Sequence, residues 1–109
     1  MDCSDTILNT HDEEYILQQI HLVAHATRLF DENDIKVRIN PFNKYCVGNK
    51  AEEFIHVFAH IMQGRTTEQK ADLSKQVVAK LVALFPTVNN IAMNISDFEK
   101  ATYCNRNML

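Results

Sequence analysis

FIHVFAHIMQGRTTEQKADLSKQVVAKL, residues 54–81, decides the fold. Phe54, His56, Phe58 and His60 point one way, while Ile55, Val57, Ala59 and Ile61 point the other, so both faces of this strand are largely apolar. Such a strand belongs inside a sheet, not on its edge. It stops at Gln63-Gly64-Arg65, and Thr66 with Gln69 forms a T-x-x-Q capping box that opens a helix. Leu73, Val77, Leu81 and Leu84 make one stripe, with Val78, Val82 and Phe85 beside it, and Pro86 ends the element. NNIAMNIS then predicts a strand through Ile91, Met93 and Ile95, and SDFE (Ser96 to Glu99) predicts a closing helical turn. Strand, helix, strand is a β-α-β unit, whose right-handed crossover makes the two strands parallel.

The upstream half repeats the theme with a part missing. Thr10 to Glu13 reads T-x-x-E, a second capping box. Ile16, Ile20, Val23 and Thr27 follow at helical spacing, predicting a helix of about five turns that ends near Phe30. Ile35, Val37 and Ile39 then alternate with Lys36, Arg38 and Asn40, a strand with one apolar and one cationic face. Pro41 to Lys50 reads as a turn region, tightest at Gly48-Asn49. Only Met1-Asp2-Cys3 precede the first loop, so this half is a β-α-β unit whose opening strand is cut short. A row of unpaired backbone groups is expected where that strand would lie.

The length of 109 residues matches one domain, taken as residues 1–109. A hydrophobic fraction of 46% and a charged fraction of 23% exclude a disordered chain. Eleven basic against fourteen acidic side chains, a net charge of −3, argue against a nucleic-acid binder. No apolar run approaches the roughly eighteen residues of a membrane span, and no secretory signal pattern opens the chain. Cys3, Cys46 and Cys104 are odd in number and lack a CxxC pair, which fits a reducing cytoplasm.

Few residues could carry chemistry. Gly64-Arg65-Thr66-Thr67, at a strand-to-helix turn, combines free helix amides, the positive end of a macrodipole and a guanidinium, an anion site. The same residues also read as a glycine turn followed by a solvated arginine. Lys36 and Arg38 lie about 7 Å apart on one strand face and with Arg65 could line a pocket for a di- or triacid, or else a charged sheet face or subunit contact. His21 and His25 have a chelating i, i+4 spacing but no third ligand. His56 and His60 stand roughly 13 Å apart, too far to share an ion, and no metal site is expected. The sequence holds neither a P-loop nor GxGxxG, and no basic motif adjoins any cysteine.

Phe54 to Leu81, with its F-x-H-v-x-x-x-i-x-x-G-R-t pattern, resembles the 5-carboxymethyl-2-hydroxymuconate isomerases of the tautomerase superfamily. Asp2 to Ile7, Asp34 to Arg38 and Ile91 to Tyr103 resemble the same family in the same order, nearly covering the chain. The resemblance implies an α+β fold, a tautomerase-like doubled β-α-β with two helices on one face of a mixed sheet and the first strand truncated. It implies a homotrimer with sites near subunit contacts, a small-molecule carboxylic acid substrate, and no metal or organic cofactor. The implied reaction is a keto/enol tautomerisation that moves a double bond in a di- or tricarboxylic acid, in the degradation of 4-hydroxyphenylacetate. An amino-terminal proline acts in the family as base and then acid, while arginines hold carboxylates and stabilise charge. By this resemblance Arg65 is catalytic and substrate-binding, and Lys36 and Arg38 bind substrate, without a choice between them as to which faces the pocket. Lys36 would act as a point charge instead of a bidentate fork.

One departure stands out: neither position 1 nor position 2 is proline, and Met1 matches a position inside the family's first strand. The expected explanations are a start assigned to an internal methionine, a clipped chain, or a non-catalytic trimeric binding or structural relative. The shortened strand favours the first two.

Overall fold

The computed structural model describes every residue, Met1 to Leu109. Its elements in chain order are β1 (Asp2–Ser4), α1 (Glu13–Ala26), β2 (Asn40–Phe42), β3 (Phe54–Met62), α2 (Thr67–Leu84) and β4 (Asn90–Phe98), with short 3-10 turns between. The sheet order is β2-β1-β3-β4. β1 runs parallel to β2 and antiparallel to β3, and β3 runs parallel to β4, so the sheet is mixed. The strand read as interior is interior, and its β-α-β partner pairs along all nine residues from Phe54↔Asn90 to Met62↔Phe98.

Both helices lie on one face. Ile55 and Val57 of β3 and Cys3 of β1 are buried with Ile16, Ile20 and Ala24 of α1 and Leu73, Val77 and Leu81 of α2 in one apolar cluster. Ile91, Met93 and Ile95 of β4 pack against it. The opposite sheet face carries Phe58, 48% exposed, and no helix covers it. The apolar alternation of β3 thus serves a buried face and an open one.

Caps explain where the helices start. Thr66 and Gln69 form the expected box, each side chain accepting from the other's backbone N–H at 3.1 and 2.8 Å. The Thr10/Glu13 box does not form. Asp12 is the cap of α1, its carboxylate accepting from the Glu14 amide at 2.8 Å, while Thr10 closes a 3-10 turn over Asp5–Asn9. A carboxylate two residues closer to the apolar stripe displaces the threonine. α1 ends at Ala26, earlier than Phe30, because Arg28 adopts φ +60°, a left-handed position that stops the helix.

Three further expectations shift. Ile35–Ile39 is not a paired strand: Ile35, Val37 and Ile39 still pack against the core in alternation with exposed Lys36 and Arg38, but the ladder begins only at Asn40. The reason lies in the register. Asp2 pairs with Asn40, so Met1 stands level with Ile39 and none of the 109 residues stands level with Ile35–Arg38. The shortened first strand is therefore a three-residue stub, β1. The closing turn expected at Ser96–Glu99 is instead the end of β4, extended by its pairing with β3, and a 3-10 turn follows at Lys100–Thr102. Gly48 and Asn49 are as tight as expected, with φ +55° and +62° between bridged Val47 and Lys50.

Candidate active site

Asp2 pairs with both Asn40 and His56, so by that register Arg38 stands level with Phe58, midway along β3, and Lys36 with His60. Arg65 follows the end of β3, whereas Lys36 and Arg38 precede β2. Lys36 and Arg38 are exposed on the sheet face away from the helices, since Ile35, Val37 and Ile39 face the core.

Arg65 is held in place. Gly64, at φ +124°, makes the turn that aims it. Its guanidinium donates to the Met62 carbonyl at 3.0 Å and the Leu29 carbonyl at 2.7 Å, and it lies 5.1 Å from the centre of the Phe30 ring. It therefore ties the end of β3 to the segment leaving α1. It is not the solvated arginine of the simpler reading, since its guanidinium holds two backbone carbonyls. The helix terminus beside it offers fewer free amides than expected, because the Thr66 and Gln69 amides are taken by the capping box. Neither Leu29 nor Phe30 carried any sequence signal as a partner of Arg65.

The chain start lies against Arg38. The Met1 ammonium donates to the Arg38 carbonyl at 2.7 Å, and the Asn40 amide donates to the Met1 carbonyl at 2.8 Å. Burial disfavours the charged amine and holds its pKa below 8.0; the nearby Arg38 adds to this, while Asp2 and Cys3 oppose it. Cys3, fully buried, is pushed the other way, to about 11, chiefly because its thiolate would be desolvated. A buried thiol of that kind is inert as a nucleophile.

The open sheet face carries a second polar arrangement. His56 Nε2–H donates to Asn94 Oδ1 at 2.5 Å, and its ring stacks on Phe58 at 4.2 Å. A cleft of about 570 Å³ lies elsewhere, at the starts of β3 and β4. Tyr45, Cys46, Phe54, His56 and Asn90 are among its walls. It is far along β3 from Arg65, so that guanidinium and the cleft do not coincide. His21 and His25 share one partner: Glu32 lies 3.0 Å from His21 Nε2 and 3.8 Å from His25 Nε2.

Comparison with known proteins places this geometry. No curated protein matches the chain in sequence. A 5-carboxymethyl-2-hydroxymuconate isomerase from Deinococcus radiodurans R1 superposes with a TM-score of 0.81 at 21% identity, over 96% of this chain and 84% of that one. A fused 4-OT, solved as a symmetric trimer, gives a TM-score of 0.81 at 15% identity, over 97% and 91%. Pt0534, solved after inactivation by 2-oxo-3-pentynoate, gives 0.82 at 14% identity, over 96% and 88%. These likenesses establish the tautomerase fold. The sequence itself matches the family described as 5-carboxymethyl-2-hydroxymuconate isomerase from residue 1 to residue 109, and with that full-length match the chain belongs to the 5-carboxymethyl-2-hydroxymuconate isomerase family of the tautomerase superfamily.

Proposed function

We propose that the protein is a 5-carboxymethyl-2-hydroxymuconate delta-isomerase, acting in the cytoplasm as a homotrimer on an unsaturated di- or tricarboxylic acid. The family match along the whole chain is the observation that carries this reading. The exposed Lys36 and Arg38 and the carbonyl-anchored Arg65 support it, as cations able to hold the carboxylates of a polyacid. In this reading Lys36 and Arg38 hold carboxylates. Arg65, pre-set by the Leu29 and Met62 carbonyls, stabilises the charge that grows on the dienolate oxygen. The enol proton leaves oxygen and a proton is added to carbon, so the double bond moves with no net redox change. The family's base, an amino-terminal proline, has no counterpart at positions 1 and 2.

A trimer also fits the open sheet face. Phe42 and Phe58 are exposed there, and apolar surface of this kind is buried when subunits pack sheet against neighbour. The test is turnover of the dienol acid by the protein with its natural amino terminus, followed in the ultraviolet. Arg65→Ala, assayed at a temperature where it is folded, is expected to lose most turnover. Lys36→Ala or Arg38→Ala is expected to raise KM about tenfold or more, the worth of one charged hydrogen bond. Unchanged KM in both, or full turnover in Arg65→Ala, would remove the assignment.

A further inference from the structure

His21 and His25 stand one turn apart on α1, and the local sequence offers them no third ligand. The fold supplies one. α1 ends at Ala26, Arg28 takes its left-handed turn, and the chain enters the 3-10 turn Glu32–Asp34. Glu32 is thereby brought against both rings: its Oε1 lies 3.0 Å from His21 Nε2 and its Oε2 lies 3.8 Å from His25 Nε2. The two imidazoles are nearly parallel, with 25° between their planes and 6.0 Å between their centroids. Both turn the same nitrogen toward one carboxylate.

That donor set has a definite chemistry. Two imidazoles and one carboxylate are ligands that zinc accepts with a fourth position open, and imidazole selects against magnesium and calcium. Zinc bonds of about 2.0–2.2 Å place neighbouring ligand atoms roughly 3.3 Å apart in a tetrahedron. The two N···O separations fall on either side of that value. The three groups are not drawn up as a finished cage. Two rings on one zinc have centroids about 5 Å apart, so His25 has to swing inward by about 1 Å. Its side chain is 47% exposed and that of Glu32 60%, so both are free to move, while His21, at 27%, is the more fixed. Local charge favours a cation as well. From His21 to Asp34 the chain carries Asp31, Glu32 and Asp34 against Arg28 alone.

We propose that His21, His25 and Glu32 are a binding site for one zinc ion, which clasps the end of α1 to the turn that follows it. The ion takes the place of the proton shared between His21 Nε2 and Glu32 Oε1, His25 closes on it, and water holds the fourth position. Binding ties Glu32 to α1 and so pins the intervening segment Thr27–Asp31 at both ends. The site stands apart from the isomerase reading, which rests on Lys36, Arg38 and Arg65 and is read by turnover.

The experiment is a titration of the 109-residue protein with zinc chloride near neutral pH in a non-coordinating buffer, followed by the imidazole nitrogen resonances in NMR. One equivalent is expected to move the Nε2 resonances of His21 and His25 together and to leave those of His11, His56 and His60 in place. Amide exchange at Asn33, Asp34 and Ile35, whose N–H groups close the Glu32–Asp34 turn, is expected to slow at least about tenfold. Magnesium chloride is expected to move none of these signals. Glu32→Gln and His25→Ala change exposed side chains, so circular dichroism is expected to stay unchanged while zinc binding weakens at least about tenfold. Zinc that leaves the His21 and His25 resonances unmoved, or that settles first on Cys46 or Cys104, overturns the proposal. Equal affinity in Glu32→Gln overturns it too, since the helix pair alone would then hold the ion.

Discussion

Replacing Arg65 by alanine removes two hydrogen bonds from a charged donor, to the Met62 and Leu29 carbonyls, and the contact with the Phe30 ring. Charged hydrogen bonds contribute about 1.5–3 kcal/mol each, and both of these sit in a half-buried place, so the lower end applies. The cation–π contact at a partly exposed site adds about 0.5–1 kcal/mol. Exposed carbonyls regain water after the substitution, which offsets part of the loss. The expected destabilisation is about 2–3 kcal/mol, or roughly 10–15 °C in Tm for a domain of this size. Arg65→Lys keeps the charge but can reach one carbonyl at a time, so its expected cost is about half as large. Urea unfolding of the three proteins, followed by far-ultraviolet circular dichroism, measures this directly through the midpoint at constant slope. An Arg65→Ala protein within about 0.5 kcal/mol of the parent would refute the anchoring role. The experiment also bears on function, because a guanidinium that holds two carbonyls is presented to substrate in a fixed place. Kinetic losses in Arg65→Ala therefore count only where the variant is shown to be folded.

Arg28 sits at φ +60°, where a side chain is strained, so Arg28→Gly is expected to stabilise by about 0.5–1 kcal/mol in the same urea assay. The Cys3 thiol, raised to about 11 in the fold, favours the folded state below pH 9.0; that contribution is expected to fall away as pH rises from 9.0 through about 11, and Cys3→Ala should abolish the slope. In the folded protein a thiol reagent at pH 8 is expected to label exposed Cys46 and Cys104 quickly and buried Cys3 only on unfolding. The Met1 amine has the opposite sign. Held below 8.0, it binds fewer protons folded than unfolded, so stability of the 109-residue chain is expected to rise as pH approaches 8.0, and amine acetylation should remove that rise.

Much of this fold is legible in the residues, and the failures have definite causes. β3, α2 and β4 are readable because strong local signals agree: alternation over nine residues, a complete Thr66/Gln69 box and Pro86 after the helix. The Gly48-Asn49 turn is readable because both residues tolerate positive φ. The extended segment Ile35–Ile39 is readable as alternation but not as a ladder, because pairing depends on a partner far away in the chain. Asp12 and Thr10 compete for one helix start, and spacing alone does not choose between them. The site is less legible than the fold. Residue type and turn position single out Arg65, yet its partner Leu29 lies 36 residues away and contributes only a carbonyl, which every residue has. Where Lys36 and Arg38 stand relative to β3 follows from strand order, β2-β1-β3-β4, and no local pattern encodes that order.

The most direct test is the rate at which the protein, purified from its natural source, converts 5-carboxymethyl-2-hydroxymuconate to its conjugated ketone. The isomerase reading predicts saturable turnover, far above the buffer rate, that falls when Arg65 is replaced in a folded variant. A rate no faster than buffer alone, from protein whose circular dichroism shows the α+β fold intact, would contradict it.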